Sequence, residues 1–171
     1  LNKIWNFRYK YFSKLKSLEA FSIKTNTQII HMALDVSTYS DDPILLNWIK
    51  ILEMLSCMLE IIKTYNDLSL IGLLKGTNSE QMNFCARIQS KFGINVVALY
   101  CKELLERKQL KFIERMFRIA SKHDMQCLFL NVNTPKIFQK FPNAYYAGVG
   151  WFKHNIKKDL NWHMIGIQSA K

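Results

Sequence analysis

The stretch LLKGTNSEQMNFCARIQSKFG, Leu73 to Gly93, sets a turn of small residues between an apolar run and a helical pattern. A strand, a glycine turn and a helix are the parts of a phosphate cradle, in which N–H groups at a helix N-terminus face an anion. A P-loop needs G-x-x-x-x-G-K-[ST], so that its lysine reaches the terminal phosphates. Here Gly72 and Gly76 are too close together, and Thr77-Asn78 replaces the lysine. A dinucleotide turn needs three glycines so that the backbone can approach a pyrophosphate. Gly76 is the one glycine at this turn, so neither cradle is present.

Other residues could also do chemistry. The loop DVSTYSDD gathers Asp35, Asp41 and Asp42 with Ser37 and Ser40, and oxygen-rich loops can hold Mg²⁺. Against a D-x-S-x-S metal site, Tyr39 stands where the second serine belongs. Helix capping by Ser40 or Asp41 and a solvated turn explain the loop more simply. Cys57, Cys85, Cys101 and Cys127 show no C-x-x-C spacing, and each sits inside an apolar pattern. They read as buried free thiols of a reducing compartment. His31, His123, His154 and His163 are scattered, which leaves no zinc ligand set. His123 follows a basic helix, where an imidazole complements the dipole. There is no G-x-S-x-G elbow. No residue is assigned to catalysis, and no metal, cofactor or small-molecule substrate is expected.

Charge is the stronger signal. With 24 Lys and Arg against 13 Asp and Glu, the 171 residues carry a net +11, which implies a polyanionic partner or an anionic surface. The excess is concentrated. Residues 1–28 hold six basic side chains against Glu19, residues 101–122 seven against three Glu, and residues 136–171 six Lys against Asp159, whereas residues 29–100 hold five basic and seven acidic. Candidate polyanion contacts are Arg8, Lys10, Lys14 and Lys16 near the N-terminus, Lys111, Arg115, Arg118 and Lys122 on one helical face, and Lys153, Lys157 and Lys158 in the tail. Trp151, Phe152, Trp162 and His163 add stacking surfaces there.

These residues need elements to position them. Residues 1–27 interleave aromatics with basic residues and read as an extension lying on a partner, with an amphipathic helix in tertiary contact as the other reading. Residues 28–135 alternate buried-type strands with helices: QIIHMALDV, a long helix from Ile44 to Thr64, LSLIGLL, a helix from Ser79 to Phe92 closed by Gly93, INVVALY, a helix from Lys102 to Lys122, and MQCLFLNV. On the long helix Leu45, Trp48, Ile49, Leu52, Leu55, Leu59 and Ile62 form the expected apolar stripe. Glu103–Arg107 and Glu114–Arg118 are spaced for i,i+4 pairs. This order predicts an α/β fold, mainly a parallel sheet with helices on both faces, Rossmann-like and three-layered. Residues 136–171 read as a basic, irregular tail packed on the core, with NWHMIGIQ as a possible late strand. No window has the roughly 18 uninterrupted apolar residues of a membrane span, and no charged-then-apolar leader opens the sequence.

Two family resemblances follow from these motifs. Leu128 to Phe152 resembles the end of a GNAT-type acetyltransferase, but the helix at Lys102–Lys122 lacks the glycine turn with which that family grips acetyl-CoA. Leu73-Leu74-Lys75-Gly76-Thr77, followed by Gln81, Ala86 and Gly93, resembles small-subunit ribosomal proteins of the S-two type. Gln28-Ile29-Ile30-His31 with the helix from Ile44, Ile119-Ala120, the strand Met125 to Leu130, Asn131-Val132-Asn133 with Pro135, and Phe141-Pro142 extend the likeness over residues 28–145. The Arg-Trp-x-Gly-Gly-x-Leu-Thr-Asn segment of that family is absent, so the resemblance is to a shortened member. It implies a structural constituent of a ribosomal small subunit that binds rRNA and neighbouring ribosomal proteins without catalysis. A shortened member of that family implies an organellar ribosome, and the AT-rich Lys, Asn and Ile usage suits a mitochondrial one, with the cytoplasm as the alternative location. A small-molecule α/β enzyme such as a divergent acyltransferase, or a basic adaptor of another large assembly, are the alternative functions.

Overall fold

A computed structural model describes residues 2–65, 68–132 and 135–147, the backbone alone for 2–7, 135 and 136. The elements are α1 (Asn2–Thr25), β1 (Ile29–Met32), α2 (Ile44–Thr64), β2 (Leu68–Leu73), α3 (Ser79–Lys91), β3 (Val96–Tyr100), α4 (Lys102–Glu106), α5 (Leu110–Lys122), β4 (Gln126–Leu130), α6 (Pro135–Lys140) and β5 (Tyr145–Ala147). The fold is α/β with a parallel sheet, as expected. All described strands run parallel in the order β1-β2-β3-β4-β5, and the sheet is curled like half a barrel.

That order never reverses, so successive right-handed crossovers deliver their helices to one side. The side chains agree. Gly72, Val97 and Cys127 stand in register, as do Leu99, Phe129 and Tyr146. From this row the Phe129 ring meets Phe117 of α5, and Tyr146 meets Phe138 of α6. Gly72 lies directly beneath Gln89 of α3. The opposite row leaves Ile30, Met32, Tyr100 and Tyr145 exposed. The winding is therefore that of a barrel segment, without the switch point of a doubly wound sheet.

α2 keeps its expected bounds, but its buried face is Ile51, Met54, Leu55, Met58 and Ile61, while Leu45, Ile49 and Leu52 face outward. The helix is apolar almost all round, so periodicity alone did not fix which stripe turns inward. The expected helix 102–122 divides into α4 and α5. The apolar pattern lapses for one turn at Arg107–Gln109, and Lys108 adopts a left-handed φ of 57° there.

Of the two readings of residues 1–27, the structure shows the helix in tertiary contact and not the partner-bound extension. Leu15 of α1 is buried with Ile61 and Tyr65. Tyr11 donates its hydroxyl to the Met32 carbonyl at 2.9 Å, so α1 also caps an outward backbone acceptor of edge strand β1. The tail's expected start at 136 is likewise early, because α6 and β5 belong to the core: Phe141 and Tyr146 close an aromatic cluster on Phe129. The late strand proposed at NWHMIGIQ lies outside the described residues. Among the described residues, no helix is long and apolar enough to cross a membrane.

Candidate functional site

The turn between β2 and α3 is filled by the protein itself. Gly76 has φ 139°, and a Cβ there would fall 2.8 Å from both Gln81 Cβ and the Met82 nitrogen. Only glycine allows so close an approach. Asn78 caps α3 by accepting from the Gln81 N–H at 2.9 Å. Gln81, fully buried, turns its side-chain oxygen back onto the Thr77 N–H at 2.9 Å and the Thr77 hydroxyl at 3.0 Å. The donor that a cradle would aim at a phosphate is thus spent within the fold.

The carboxyl ends of β1 and β2 carry the charged groups. Lys75 follows Leu73-Leu74 out of the sheet, and its ammonium lies 2.5 Å from the Asp35 carboxylate beyond β1. The lysine side chain is 17% exposed and its partner 60%. Asp42 of the same loop is held at 2.5 Å by Lys50 of α2, whose ammonium stands 5.3 Å from the centre of the Tyr39 ring. Two of the loop's three aspartates therefore answer lysines. Among the described residues no cluster of His, Cys, Asp and Glu is placed to hold a metal. Ser40 and Asp41 bond to each other and do not cap α2, which begins after Pro43 with no side-chain cap. The loop is secured by buried Asn47, whose amide accepts from the Tyr39 N–H at 3.3 Å and donates to the Tyr39 carbonyl at 2.8 Å.

The sequence drew attention to the glycine turn at Gly76-Thr77 and gave no role to the neighbouring Lys75. The signal for it was its position: the first charged residue past a buried strand, where ligands of open parallel sheets bind.

The expected polyanion contacts fare differently from one another. Arg8 is committed to the fold, with its guanidinium 2.7 Å from Glu53 and 2.5 Å from Glu60 of α2. Burial disfavours the Arg8 cation, but hydrogen bonds to Glu60 and Glu53 outweigh it and hold its pKa above the ordinary value. Lys10, Lys14 and Lys16 are exposed on α1. Lys14 and burial together depress the pKa of His31, burial being the larger cause. Lys111, Arg115, Arg118 and Lys122 are all exposed and share one face of α5. The expected pair Glu114–Arg118 does not form, because Glu114 pairs with Lys140 of α6. Lys153, Lys157 and Lys158 lie outside the described residues.

No family model and no curated protein matches the chain. Among solved structures, one similar to it is a Ruminococcus gnavus sialic acid aldolase, a catalytic lysine mutant. The two share 15% identity and a TM-score of 0.48, and the match covers 65% of this chain and 42% of that one. The expected function, a ribosomal small-subunit constituent binding rRNA without catalysis, is corrected. The strands wind in sequence order as in a barrel segment, and Arg8, the first of the expected RNA contacts, is withdrawn into an ion-pair network with Glu53 and Glu60.

Proposed function

We propose that the chain binds a small carboxylate-bearing molecule at the carboxyl end of the sheet, with Lys75 as the group that receives the ligand's anionic oxygen. The observation that supports this is the Lys75–Asp35 pair, held across the ends of two adjacent parallel strands. Lys75 is largely enclosed while Asp35 is more than half exposed. A ligand carboxylate can take the place of Asp35 on the ammonium and release Asp35 to water, exchanging one ion pair for another. The lysine is never left buried without a counter-ion, which is the costly outcome in a partly buried site. Met32 and Tyr100, exposed at the ends of β1 and β3, lie on the open sheet face and offer apolar surface for the rest of such a molecule.

The test is calorimetric titration of the protein with a panel of small mono- and dicarboxylic acids, with and without hydroxyl or keto groups. At least one should bind saturably. Lys75→Met should weaken it by roughly tenfold to a hundredfold, the effect of losing a charge-assisted hydrogen bond. Asp35→Asn, which removes the internal competitor, should bind as tightly or more tightly. Absence of binding across the panel, or equal binding by Lys75→Met, overturns the proposal.

A further inference from the structure

α5 carries a second feature, far from the β1–β2 loops in sequence and independent of Lys75. Lys111, Arg115, Arg118 and Lys122 follow the spacing i, i+4, i+7, i+11. At 3.6 residues per turn they fall in one narrow row about 16 Å long. The helix beneath is rigidly held, because Ile113, Met116, Ile119 and Ala120 of its opposite face are buried. Among the described residues no carboxylate pairs with any of the four. Glu114, one turn from Arg118 and able to compensate it, is drawn away to Lys140. Beside the row opens a cavity of about 350 Å³ lined by Glu114, Phe117, Arg118, Ser121 and Phe141.

We infer that this face docks an acidic α-helix of a partner protein. The helix would present carboxylates at matching i, i+4, i+7 and i+11 positions and one bulky apolar side chain to the open cavity lined by Phe117, Ser121 and Phe141. Charge complementarity selects an anionic partner. The cavity decides which kind. Its aromatic lining, Phe117 and Phe141, suits an apolar side chain and offers nothing to a phosphate group, so a peptide fits better than a nucleic-acid backbone or a lipid headgroup. Helix spacing on one side is best answered by helix spacing on the other, as in groove-bound amphipathic helices. Solvent-exposed ion pairs contribute little each, so the complex is transient, salt-sensitive and anchored by the single apolar insertion.

The probe is a fluorescein-labelled, hydrocarbon-stapled 18-residue helix with Glu at the four positions and Phe on the cavity side, titrated into the protein and followed by anisotropy. Saturable binding is expected, weakening at least about tenfold when NaCl rises from ~50 to ~300 mM, as screening shortens the reach of exposed charges. Arg115→Glu with Arg118→Glu should abolish it, and both positions are surface sites whose fold is checked by circular dichroism. Ser121→Trp, which fills the cavity and keeps every charge, should weaken binding at least fivefold, as should Phe→Ala in the probe. Equal affinity for a scrambled helix of the same composition overturns the inference. So does tighter binding to a single-stranded RNA 20-mer or to phosphatidylserine vesicles, or indifference to Ser121→Trp.

Discussion

The side-chain oxygen of Gln81 accepts from both the backbone N–H and the hydroxyl of Thr77, at 2.9 and 3.0 Å, while the Gln81 amide nitrogen faces the Ile44 carbonyl at 3.4 Å. One buried side chain therefore closes the β2–α3 turn and ties it to the start of α2. A turn whose sequence suggests a phosphate cradle is a joint, with its donors already satisfied.

Gln81→Leu keeps the volume and removes the acceptor. The Thr77 N–H then loses its partner in a half-buried turn, so the variant should be less stable by about 1–3 kcal/mol, the cost of an orphaned donor. Urea denaturation checks it: the midpoint should fall with an unchanged slope, the sign of lost stability in an otherwise intact fold. An unchanged midpoint would show that water replaces the glutamine at no cost.

Gly72 is required for a different reason. A Cβ at this position would lie 1.9 Å from Gln89 Oε1 and 3.1 Å from Ile94 Cγ2. Gln89 cannot easily withdraw, since it is fully buried and its nitrogen donates to the Leu73 carbonyl at 3.0 Å. Gly72→Ala should cost about 1–3 kcal/mol through overpacking. In the double variant with Gln89→Ala the two losses should not add, because removing the glutamine side chain makes room for the methyl group. Additive losses would mean that the clash is relieved elsewhere.

Much of this was legible and some was not, for identifiable reasons. The bounds of α2 and the glycine at the end of α3 followed from periodicity and from the demand for a left-handed residue, and Gly93 has φ 79°. The α4–α5 break carries no glycine or proline, and the chain accepts the strain at Lys108. β5 is three residues long and sits in an aromatic-rich stretch with no alternation to mark it. The Lys75–Asp35 pair joins residues 40 apart, a proximity set by strand pairing that no local pattern encodes. Arg8 was misjudged because a cation in a basic run resembles a free one until its two glutamates are seen.

Four helices end alike, and three of them without glycine. Thr27, Ile94, Gln109 and Met125 each donate a backbone N–H to the carbonyl five residues back, while the residue before each is left-handed: Asn26, Gly93, Lys108 and Asp124. This is the Schellman closure, in which glycine avoids the Cβ penalty. Lys108→Gly and Asp124→Gly should each stabilise by about 0.5–1 kcal/mol, the relief of left-handed strain less the added freedom of the unfolded chain. Gly93→Ala should lose about 1 kcal/mol through strain alone, since the space around a Cβ there is open. Thermal melts of the three variants decide it, and a lower melting temperature for Asp124→Gly would mean that the aspartate side chain has a role beyond the turn.

The four thiols supply a pH dependence with a definite sign. All are buried and free. Burial pushes Cys57, Cys101 and Cys127 up to about 12 and Cys85 to about 11, against about 8.5 for an unfolded thiol. Above about pH 9 the unfolded chain has released protons that the folded chain retains, so stability falls as pH rises. The contribution is complete below the unfolded value and disappears as pH passes through the folded ones. At pH 8 Ellman's reagent should leave the native protein unlabelled over the time in which the urea-unfolded chain yields four thiols. Cys127→Ala should flatten the alkaline loss of stability relative to the parent chain, because one of the linked protons is gone. Rapid modification of native protein at pH 8, or an alkaline profile unchanged by Cys127→Ala, would place a thiolate at the surface and contradict the packing of β4 against α5.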